Sequence, residues 1–231
     1  MIDLYYWTTP NGHKLTIFLE EAGLAYTLRP INISQGEQFA PEFLAIAPNN
    51  RIPAIVDHQP ADGGAPLPMF ESGAILYYLA AKIDRFIPKQ ERARWDCLQW
   101  LFWQMAGLGP MAGQNHHFAL YAPEKLPYAI DRYVKETGRL YGVLNKRLAD
   151  REFIAGEYSI ADMASYPWVL PERQGQDMTD FPHLKKWKDT IAARPAVQRA
   201  YEIAQEVNTQ PSISDERSRQ VLFGQDKTTV R

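Results

Sequence analysis

The stretch Trp7-Thr8-Thr9-Pro10-Asn11-Gly12-His13-Lys14 joins a short apolar run, which begins at Ile2, to an amphipathic run that ends at Gly23. Small hydroxyl and amide side chains favour helix N-termini, so the stretch predicts a strand, a turn and the start of a helix. A helix N-terminus leaves backbone N–H groups unpaired and carries partial positive charge, which favours an anion. We therefore expect an anion to bind at this turn.

The segments that follow extend this strand and helix into a βαβ unit. The predicted helix runs from Asn11 to Gly23, with apolar residues at helical spacing and a glycine stop. The run from Tyr26 to Ile33 alternates well enough to be a second strand. A helix between two strands indicates parallel pairing of those strands.

Two more strands and a helix are predicted before residue 84. A strand follows the Ile52-Pro53 pair and ends at Asp57, and the Ile52–Pro53 bond is a candidate for a cis peptide. Met69-Phe70 is predicted to be a short strand. Glu71 or Ser72 can cap the helix that follows, which is expected to end near Ile83.

From Pro88 onward the pattern contains no convincing strand. Helices are predicted over five segments: Glu91–Met105, Pro127–Leu148, the segment opened by Ser159-Ile160-Ala161-Asp162, His183–Arg194 and Ala196–Gln205. Pro167 should kink or end the third of them. The predicted fold is therefore an α/β domain over residues 1–84 and an all-α domain over residues 88–205. Residues 206–231 are polar and without a helical period, so we predict an extended or disordered tail.

Composition excludes several classes of protein. The 231 residues are 45% hydrophobic with a net charge of −2, and no long basic run suggests nucleic acid. The apolar windows are too short for a membrane span, and Asp3 stands where a signal peptide would be basic. The single cysteine, Cys97, excludes an internal disulfide framework and a Cys-rich metal site. These features predict a cytosolic protein, and the anion at the first turn is hypothesised to be a thiolate carried by a ligand.

Several sequence strings together resemble the cytosolic glutathione transferases, and among them the bacterial nu-class. The strings are Thr8-Thr9-Pro10-Asn11-Gly12, Pro48-Asn49-Asn50-Arg51-Ile52-Pro53, Glu71-Ser72, Leu98-Gln99-Trp100-Leu101-Phe102-Trp103-Gln104, Gly109-Pro110-Met111, Gly113-Gln114-Asn115-His116-His117-Phe118 and Ser159-Ile160-Ala161-Asp162. The resemblance covers residues 1 to about 205. It implies a thioredoxin-like N-terminal domain, a homodimer in the cytoplasm, and glutathione, reduced or as its disulfide, as co-substrate without a metal.

The resemblance also implies roles for residues of the N-terminal domain. Thr9 would hold the glutathione sulfur with Asn11 beside it, and the backbone of Ile52 would pair with the cysteinyl part. Glutathione's remaining groups would be met by two pairs of side chains: Glu71 and Ser72 at the γ-glutamyl end, and Gln38 and Arg51 at the glycyl carboxylate. A hydroxyl donor and a helix N-terminus together can lower a thiol pKa by about one unit.

Each of these residues also has a purely structural interpretation. Thr9 or Asn11 can simply cap the first helix, with Thr8 as a near neighbour that could be confused with Thr9. Glu71 or Ser72 can cap theirs, Ile52 can be core, and the two glycyl-end residues can belong to an ordinary solvated loop.

Three features of the second domain need separate interpretations. Arg132 is implied to reach the glutathione of the neighbouring subunit, although periodicity alone describes an exposed helix arginine. His116-His117 lack the spacing and companions of a metal site, so a structural or pocket-lining role is expected. Cys97 lies among aromatic residues and is expected to be buried and inert.

The implied reaction is the reduction of small-molecule or peptide disulfides by thiol–disulfide exchange with bound glutathione, with some peroxidase activity toward organic hydroperoxides. Two alternatives remain open at this point. The same site could conjugate glutathione to electrophiles, or the chain could bind glutathione without turnover as a regulatory protein.

Overall fold

The structure is a computed structural model that describes residues 1–208 and 215–229. It contains two compact units. The first consists of Met1–Tyr78 and the described residues from Gln198 onward, and the second is Leu79–Val197. The chain therefore leaves the first unit after residue 78 and returns to it at residue 198.

A mixed sheet of four strands forms the centre of the first unit. The strands are β1 (Ile2–Tyr6), β2 (Tyr26–Pro30), β3 (Ala54–Asp57) and β4 (Leu67–Phe70), in the spatial order β2-β1-β3-β4. β1 and β2 pair in parallel, and β3 is antiparallel to both β1 and β4. The predicted βαβ unit with parallel pairing is confirmed.

Helix α1 (Pro10–Ala22) connects β1 to β2. It begins after Thr9, which caps it, and Pro10 suits the first turn because its missing N–H would be unpaired there. It ends at Gly23, whose φ of 67° is the left-handed conformation that glycine adopts without a Cβ penalty. Leu15 and Phe18 on its apolar face are fully buried. The prediction from Asn11 to Gly23 is therefore confirmed to within one residue at each end.

The rest of the sheet unit contains the short α2 (Pro41–Leu44) and the first part of α3 (Ser72–Ile83), whose residues from Leu79 onward belong to the second unit. The Ile52–Pro53 bond is cis, as the sequence allowed. Ile52 belongs to a buried apolar cluster with Trp7 and Phe43. The strand predicted after Pro53 is confirmed as β3, which begins at Ala54 and ends at Asp57.

The second unit is built from helices. They are α4 (Glu91–Trp103), α5 (Gly109–His116), α6 (Pro127–Arg147), α7 (Ile160–Ser165), α8 (Pro171–Gln174) and α9 (Pro182–Ala192), and α10 (Pro195–Val207) leads out of it. The predicted fold class, an α/β thioredoxin-like part and an all-α part, is confirmed. No helix in the described residues combines the length and apolarity needed to cross a bilayer.

The capping box predicted at Ser159 to Asp162 is present at the start of α7. The Asp162 carboxylate accepts hydrogen bonds from the backbone N–H of Ser159 and Ile154 and from the indole N–H of Trp187, at 2.8–3.0 Å. Burial raises the pKa of Asp162 to about 6, although these donors favour its charged form. α7 ends at Ser165, before Pro167, as predicted.

The prediction of an extended or disordered tail over residues 206–231 is wrong for much of it. Helix α11 (Glu216–Phe223) forms there, opened by a reciprocal capping box between Asp215 and Ser218. Val221 of α11 packs within the first unit, where its Cγ1 lies 3.8 Å from the point that a Cβ would occupy on Gly36. Residues 209–214 and 230–231 lie outside the described residues. The polar composition concealed a helix that is defined by its cap and its packing rather than by apolar spacing.

Candidate functional site

The N-terminus of α1 separates the roles of the two adjacent threonines. Thr9 Oγ1 accepts a hydrogen bond from Gly12 N at 3.2 Å, so Thr9 is the N-cap. Thr8 Oγ1 instead accepts one from Asn208 Nδ2 at 3.2 Å. Because the Gly12 N–H occupies a lone pair of Thr9 Oγ1, the Thr9 hydroxyl can still donate its hydrogen to an anion. The structural interpretation of Thr9 as a cap is correct, and its contact with a ligand remains a prediction.

The start of α1 is fixed closely against β1. A Cβ at Gly12 would lie only 2.3 Å from the Trp7 carbonyl oxygen and 2.8 Å from a ring carbon of Tyr6. His13 is paired with the Tyr6 hydroxyl at 3.1 Å, and its ring centroid lies 4.5 Å from that of Tyr201. Burial lowers the pKa of His13 to about 4, so it is neutral near pH 7. The start of α1 is therefore positioned by tight packing and by a neutral histidine.

The N-terminus of α3 faces the same helix. Ser72 is the first residue of α3 and is buried, and Glu71 before it has a φ of 71°, a strained conformation for a residue with a side chain. Lys14 Nζ of α1 donates to Ser72 Oγ at 3.3 Å. The structure thus brings the predicted γ-glutamyl pair next to α1 through a lysine to which the sequence analysis gave no role. One signal could have revealed Lys14: it lies four residues before Phe18, on the buried face.

The two residues predicted for the glycyl carboxylate have different environments. Arg51 Nη1 donates to Asn50 Oδ1 and to Gln225 Oε1, both at 2.8 Å. Gln38 is buried, and its Nε2 donates to the Ile33 carbonyl at 3.1 Å. Gln225 was missed by the sequence analysis, and no local pattern could have found it because it lies 174 residues from Arg51.

Ile52 and Asn11, the two residues predicted to hold the cysteinyl part of the ligand, differ in burial. Ile52 has 9% of its surface exposed, so the alternative interpretation of its side chain as core is correct. Its backbone contact with a ligand remains a prediction. Asn11 lies in the first turn of α1, two residues after Thr9, and is partly buried.

Two residues of the second unit, Arg132 and His116, were also considered for the site, and each contacts neighbouring side chains. Arg132 lies on α6 and is 57% exposed, with its Nη1 3.7 Å from Glu136 Oε2. It lies in the second unit, and its contact with a neighbouring subunit's ligand stays a prediction. His116 is buried and contacts Gln174 at 3.2 Å, and burial lowers its pKa to about 4.

Neither a reactive cysteine nor a group of metal ligands is found in the described residues. Cys97 is fully buried, and that burial raises the pKa of its thiol. A buried thiol with a raised pKa is a poor nucleophile. Within residues 1–208 and 215–229, no three His, Cys, Asp or Glu side chains are grouped so that they could hold a metal ion.

Two family models match the sequence. The one described as "Glutathione S-transferase, N-terminal domain" matches residues 2–81, and "Glutathione S-transferase, C-terminal domain" matches residues 108–195. Among curated relatives, the disulfide-bond oxidoreductase YfcG of Escherichia coli K12 is 56% identical over 220 residues, which cover 94% of this chain and 99% of YfcG. The disulfide-bond oxidoreductase YghU of the same organism is 40% identical, over 86% of this chain and 73% of YghU.

Solved structures show the same similarity. A glutathione transferase from Burkholderia graminis, with two glutathione molecules bound per subunit, superposes with a TM-score of 0.83 at 43% identity, covering 87% of each chain. One from Pseudomonas putida, with one glutathione disulfide bound per subunit, superposes with a TM-score of 0.82 at 42% identity, covering 87% of this chain and 91% of that one.

Proposed function

This chain belongs to the glutathione S-transferase family, and we propose that within it the protein is a glutathione-dependent disulfide-bond oxidoreductase. Glutathione, reduced or as its disulfide, is the co-substrate, and the acceptors are small-molecule or peptide disulfides. The name of the relative YfcG and the glutathione bound to the similar structures support this proposal.

The observation that carries the proposal is the N-terminus of α1. Its cap residue, Thr9, has a hydroxyl hydrogen to donate, and the partial positive charge of a helix N-terminus favours an anion. The chain's single cysteine, Cys97, is buried in the other unit. A thiol that reacts at α1 therefore has to come from a ligand, and Thr9 stabilises it as the thiolate.

The groups around α1 match the other parts of glutathione. Glu71 supplies a carboxylate for the ligand's ammonium, and Ser72 supplies a hydroxyl at the start of α3 for its α-carboxylate. Arg51 supplies the cation for the glycyl carboxylate. Gln38 completes that end only if its buried amide turns outward from the Ile33 carbonyl. Asn11 and the Ile52 backbone hold the cysteinyl part between the two ends.

The reaction proceeds by two exchanges. The thiolate of bound glutathione attacks one sulfur of the disulfide, forming a mixed disulfide and releasing the other sulfur as a thiolate, which takes up a proton. The thiolate of a second glutathione then attacks the glutathionyl sulfur, giving glutathione disulfide and the second thiol. Two glutathiones are oxidised for each disulfide reduced, and the protein contributes no cysteine.

The same thiolate can reduce an organic hydroperoxide. It attacks the terminal peroxide oxygen, the O–O bond breaks, and an alcohol leaves with a proton while the glutathione sulfur becomes a sulfenic acid. A second glutathione displaces water from that sulfur and forms glutathione disulfide. We also propose a cytoplasmic homodimer in which Arg132 approaches the glutathione of the neighbouring subunit.

The test compares three reactions of the purified protein with glutathione: reduction of a model disulfide, reduction of an organic hydroperoxide, and conjugation to an aromatic halide. Disulfide reduction should be the fastest, and Cys97→Ala should retain most of it. If conjugation dominates, the protein is a transferase of the conjugating kind. Binding of glutathione without any turnover would instead support a regulatory protein. Complete loss of activity in Cys97→Ala would reject the external thiol.

A further inference from the structure

The C-terminal part of the chain contacts the glycyl end of the proposed glutathione site, and both belong to the first unit. Val221 of α11 lies against the loop that contains Gly36, 3.8 Å from the point that a Cβ would occupy there. Just after α11, Gln225 Oε1 accepts a hydrogen bond from Arg51 Nη1 at 2.8 Å. We call residues 216–225 the C-terminal strap. The strap therefore holds the cation that is proposed to bind the glycyl carboxylate.

The strap offers Arg51 the same kind of charge that a carboxylate would offer. Gln225 Nε2 donates to the Val221 carbonyl at 3.0 Å, so its amide connects the last turn of α11 to the guanidinium. The C-terminal end of a helix carries partial negative charge and favours a cation. The amide oxygen and the end of α11 thus occupy, with partial negative charges, a contact suited to an anion.

The hydrogens of Arg51 Nη1 are already engaged in this arrangement. A terminal guanidinium nitrogen has two hydrogens, and those of Nη1 are directed to Gln225 Oε1 and Asn50 Oδ1, each at 2.8 Å. A carboxylate that pairs with both terminal nitrogens needs one of them. Asn50 is 5% exposed and adjacent to Arg51 in the chain, whereas Gln225 is only partly buried. Gln225 is therefore the acceptor that a ligand displaces more easily.

We propose that the C-terminal strap is autoinhibitory: it occupies Arg51 in place of the glycyl carboxylate, and glutathione releases it on binding. This inference rests on the proposed function, because it concerns the glycyl end of the same site. Docking of the strap is then an equilibrium within the protein. The apparent affinity for glutathione is reduced by the fraction of molecules in which the strap is docked.

The strap is built so that it can detach. α11 has eight residues, and isolated helices shorter than about 12–15 residues are marginal in water, so α11 depends on its packing. That packing is limited, because none of its three apolar side chains, Val221, Leu222 and Phe223, is fully buried. Once released, α11 should unfold, and its backbone N–H groups should then exchange with solvent.

The experiment measures hydrogen–deuterium exchange of the full-length wild-type protein by mass spectrometry. Saturating glutathione should make residues 216–225 exchange about two- to fivefold faster, the effect expected for the loss of one hydrogen bond of modest strength. Glutathione amidated at the glycyl carboxylate is the control ligand and should leave their exchange unchanged. Unchanged or slower exchange with glutathione would overturn the proposal, and slower exchange would show that the strap closes over the ligand. Equal acceleration by both ligands would exclude competition at Arg51.

A variant in the strap tests the same equilibrium without changing Arg51 or its acceptor. Val221→Asp places a charge against the loop of Gly36 and should release the strap. The affinity for glutathione should rise by the same two- to fivefold, since one docking constant determines both effects. Gln220→Asp adds the same charge at an exposed position of α11 and should keep the wild-type affinity.

Combining variants shows whether the two contacts belong to one docked state. In the Gln225→Ala background, Val221→Asp should add little, because both substitutions release one segment. Additive gains, or an unchanged affinity in Val221→Asp alone, would refute the strap.

The outcomes separate this inference from the proposed function. If the wild type binds glutathione and reduces disulfides but residues 216–225 do not exchange faster, only the inference about the strap fails. If the wild type does not bind glutathione, the proposed function fails first. The exchange measurement uses the wild type and so does not depend on the folding of any variant.

Discussion

Replacing Thr9 separates its capping role from its proposed contact with a thiolate. Thr9→Asp keeps a good N-cap, since an Asp carboxylate can accept the Gly12 N–H that Thr9 Oγ1 now accepts at 3.2 Å. It removes the hydroxyl hydrogen and adds a negative charge beside the sulfur. Thr9→Ser keeps both functions, and Thr9→Val removes both while keeping the volume.

The expected magnitude follows from the strength of a hydrogen bond to a charged group, about 1.5–3 kcal/mol. At about 1.4 kcal/mol for each pKa unit, its loss should raise the pKa of the bound thiol by about one to two units. If the wild-type protein lowers that pKa from about 8.5 to about 7.5, about a quarter of the thiol is ionised at pH 7. In Thr9→Val about 3% would be ionised, and Thr9→Asp would have less because like charges repel.

The pH dependence is a sharper measurement than the rate at one pH. A thiolate whose thiol has a higher pKa is intrinsically more nucleophilic. For one pKa unit this raises the rate constant of the thiolate about threefold, which partly offsets the smaller ionised fraction. The assay is therefore a titration of bound glutathione by the ultraviolet absorbance of its thiolate, together with the pH profile of disulfide reduction. Thr9→Val should show its inflection about one pH unit higher, and above about pH 9 its rate should reach that of the wild type and then exceed it by up to about threefold.

Stability measurements provide the control for the Thr9 series. Thr9→Val should lose about 1 kcal/mol of stability with its cap, whereas Thr9→Asp should not. Thr8→Val changes the neighbouring hydroxyl, which accepts from Asn208, and should keep the wild-type thiol pKa. If Thr9→Val and Thr9→Asp bind glutathione with an unchanged thiol pKa, Thr9 is only a helix cap and the proposed activation is refuted.

Three further predictions concern packing, the C-terminal segment and pH. Gly12→Ala should lower the free energy of unfolding by about 1–3 kcal/mol, because the new methyl group would lie 2.3 Å from a backbone oxygen; denaturant unfolding measures this. Gln225→Ala should raise the affinity for glutathione by about two- to fivefold in calorimetry, because Arg51 Nη1 no longer has Gln225 as a competing acceptor. His13→Phe should flatten the loss of stability at acid pH. The folded-state pKa of His13, about 4, lies below its ordinary value of 6.5, so the unfolded state takes up the proton first as pH decreases. The free energy of unfolding therefore falls between about pH 6.5 and pH 4, by about 3 kcal/mol for this residue.

Each of these predictions has a matched control. Gly142→Ala lies in α6 with nothing within 4 Å of the new methyl group, and should stabilise the protein by about 0.4–1 kcal/mol. The affinity of Gln225→Ala should not rise for a glutathione analogue with an amidated glycyl carboxylate; equal gains for both ligands would contradict competition at Arg51. His183→Gln, at an exposed position, should keep the wild-type acid slope, and an unchanged slope in His13→Phe would show that His13 does not carry the effect.

The elements that the sequence predicted correctly are those specified by neighbours within a few residues. The cap at Thr9 and the stop at Gly23 define α1, and the capping box at Ser159 and Asp162 defines the start of α7. These signals are local because they satisfy the unpaired groups of one helix end. The polar tail was predicted wrongly because α11 has a capping box at Asp215 but no long apolar period, and a cap without that period is a weak signal.

Only part of the candidate site could be predicted from the sequence. The motif resemblance gave residues along the chain, but it could not say which interpretation of Thr8 and Thr9 was correct. The structure distinguishes them, because Asn208, 200 residues away, donates to Thr8 and leaves Thr9 to cap the helix. The contact between Arg51 and Gln225 is likewise visible only in the structure, because 174 residues separate them in the chain.

Local sequence patterns were sufficient to predict the α/β and all-α parts and the helix start at Trp7-Thr8-Thr9-Pro10-Asn11-Gly12-His13-Lys14, and the composition showed that there is no second cysteine. These properties depend on composition and on spacing over a few residues. The burial of Lys14 against Ser72, 58 residues later, and the packing of α11 in the first unit became known from the three-dimensional fold alone. Burial and the pKa of a side chain depend on which distant segments exclude water from it, and no local pattern of residues specifies those segments.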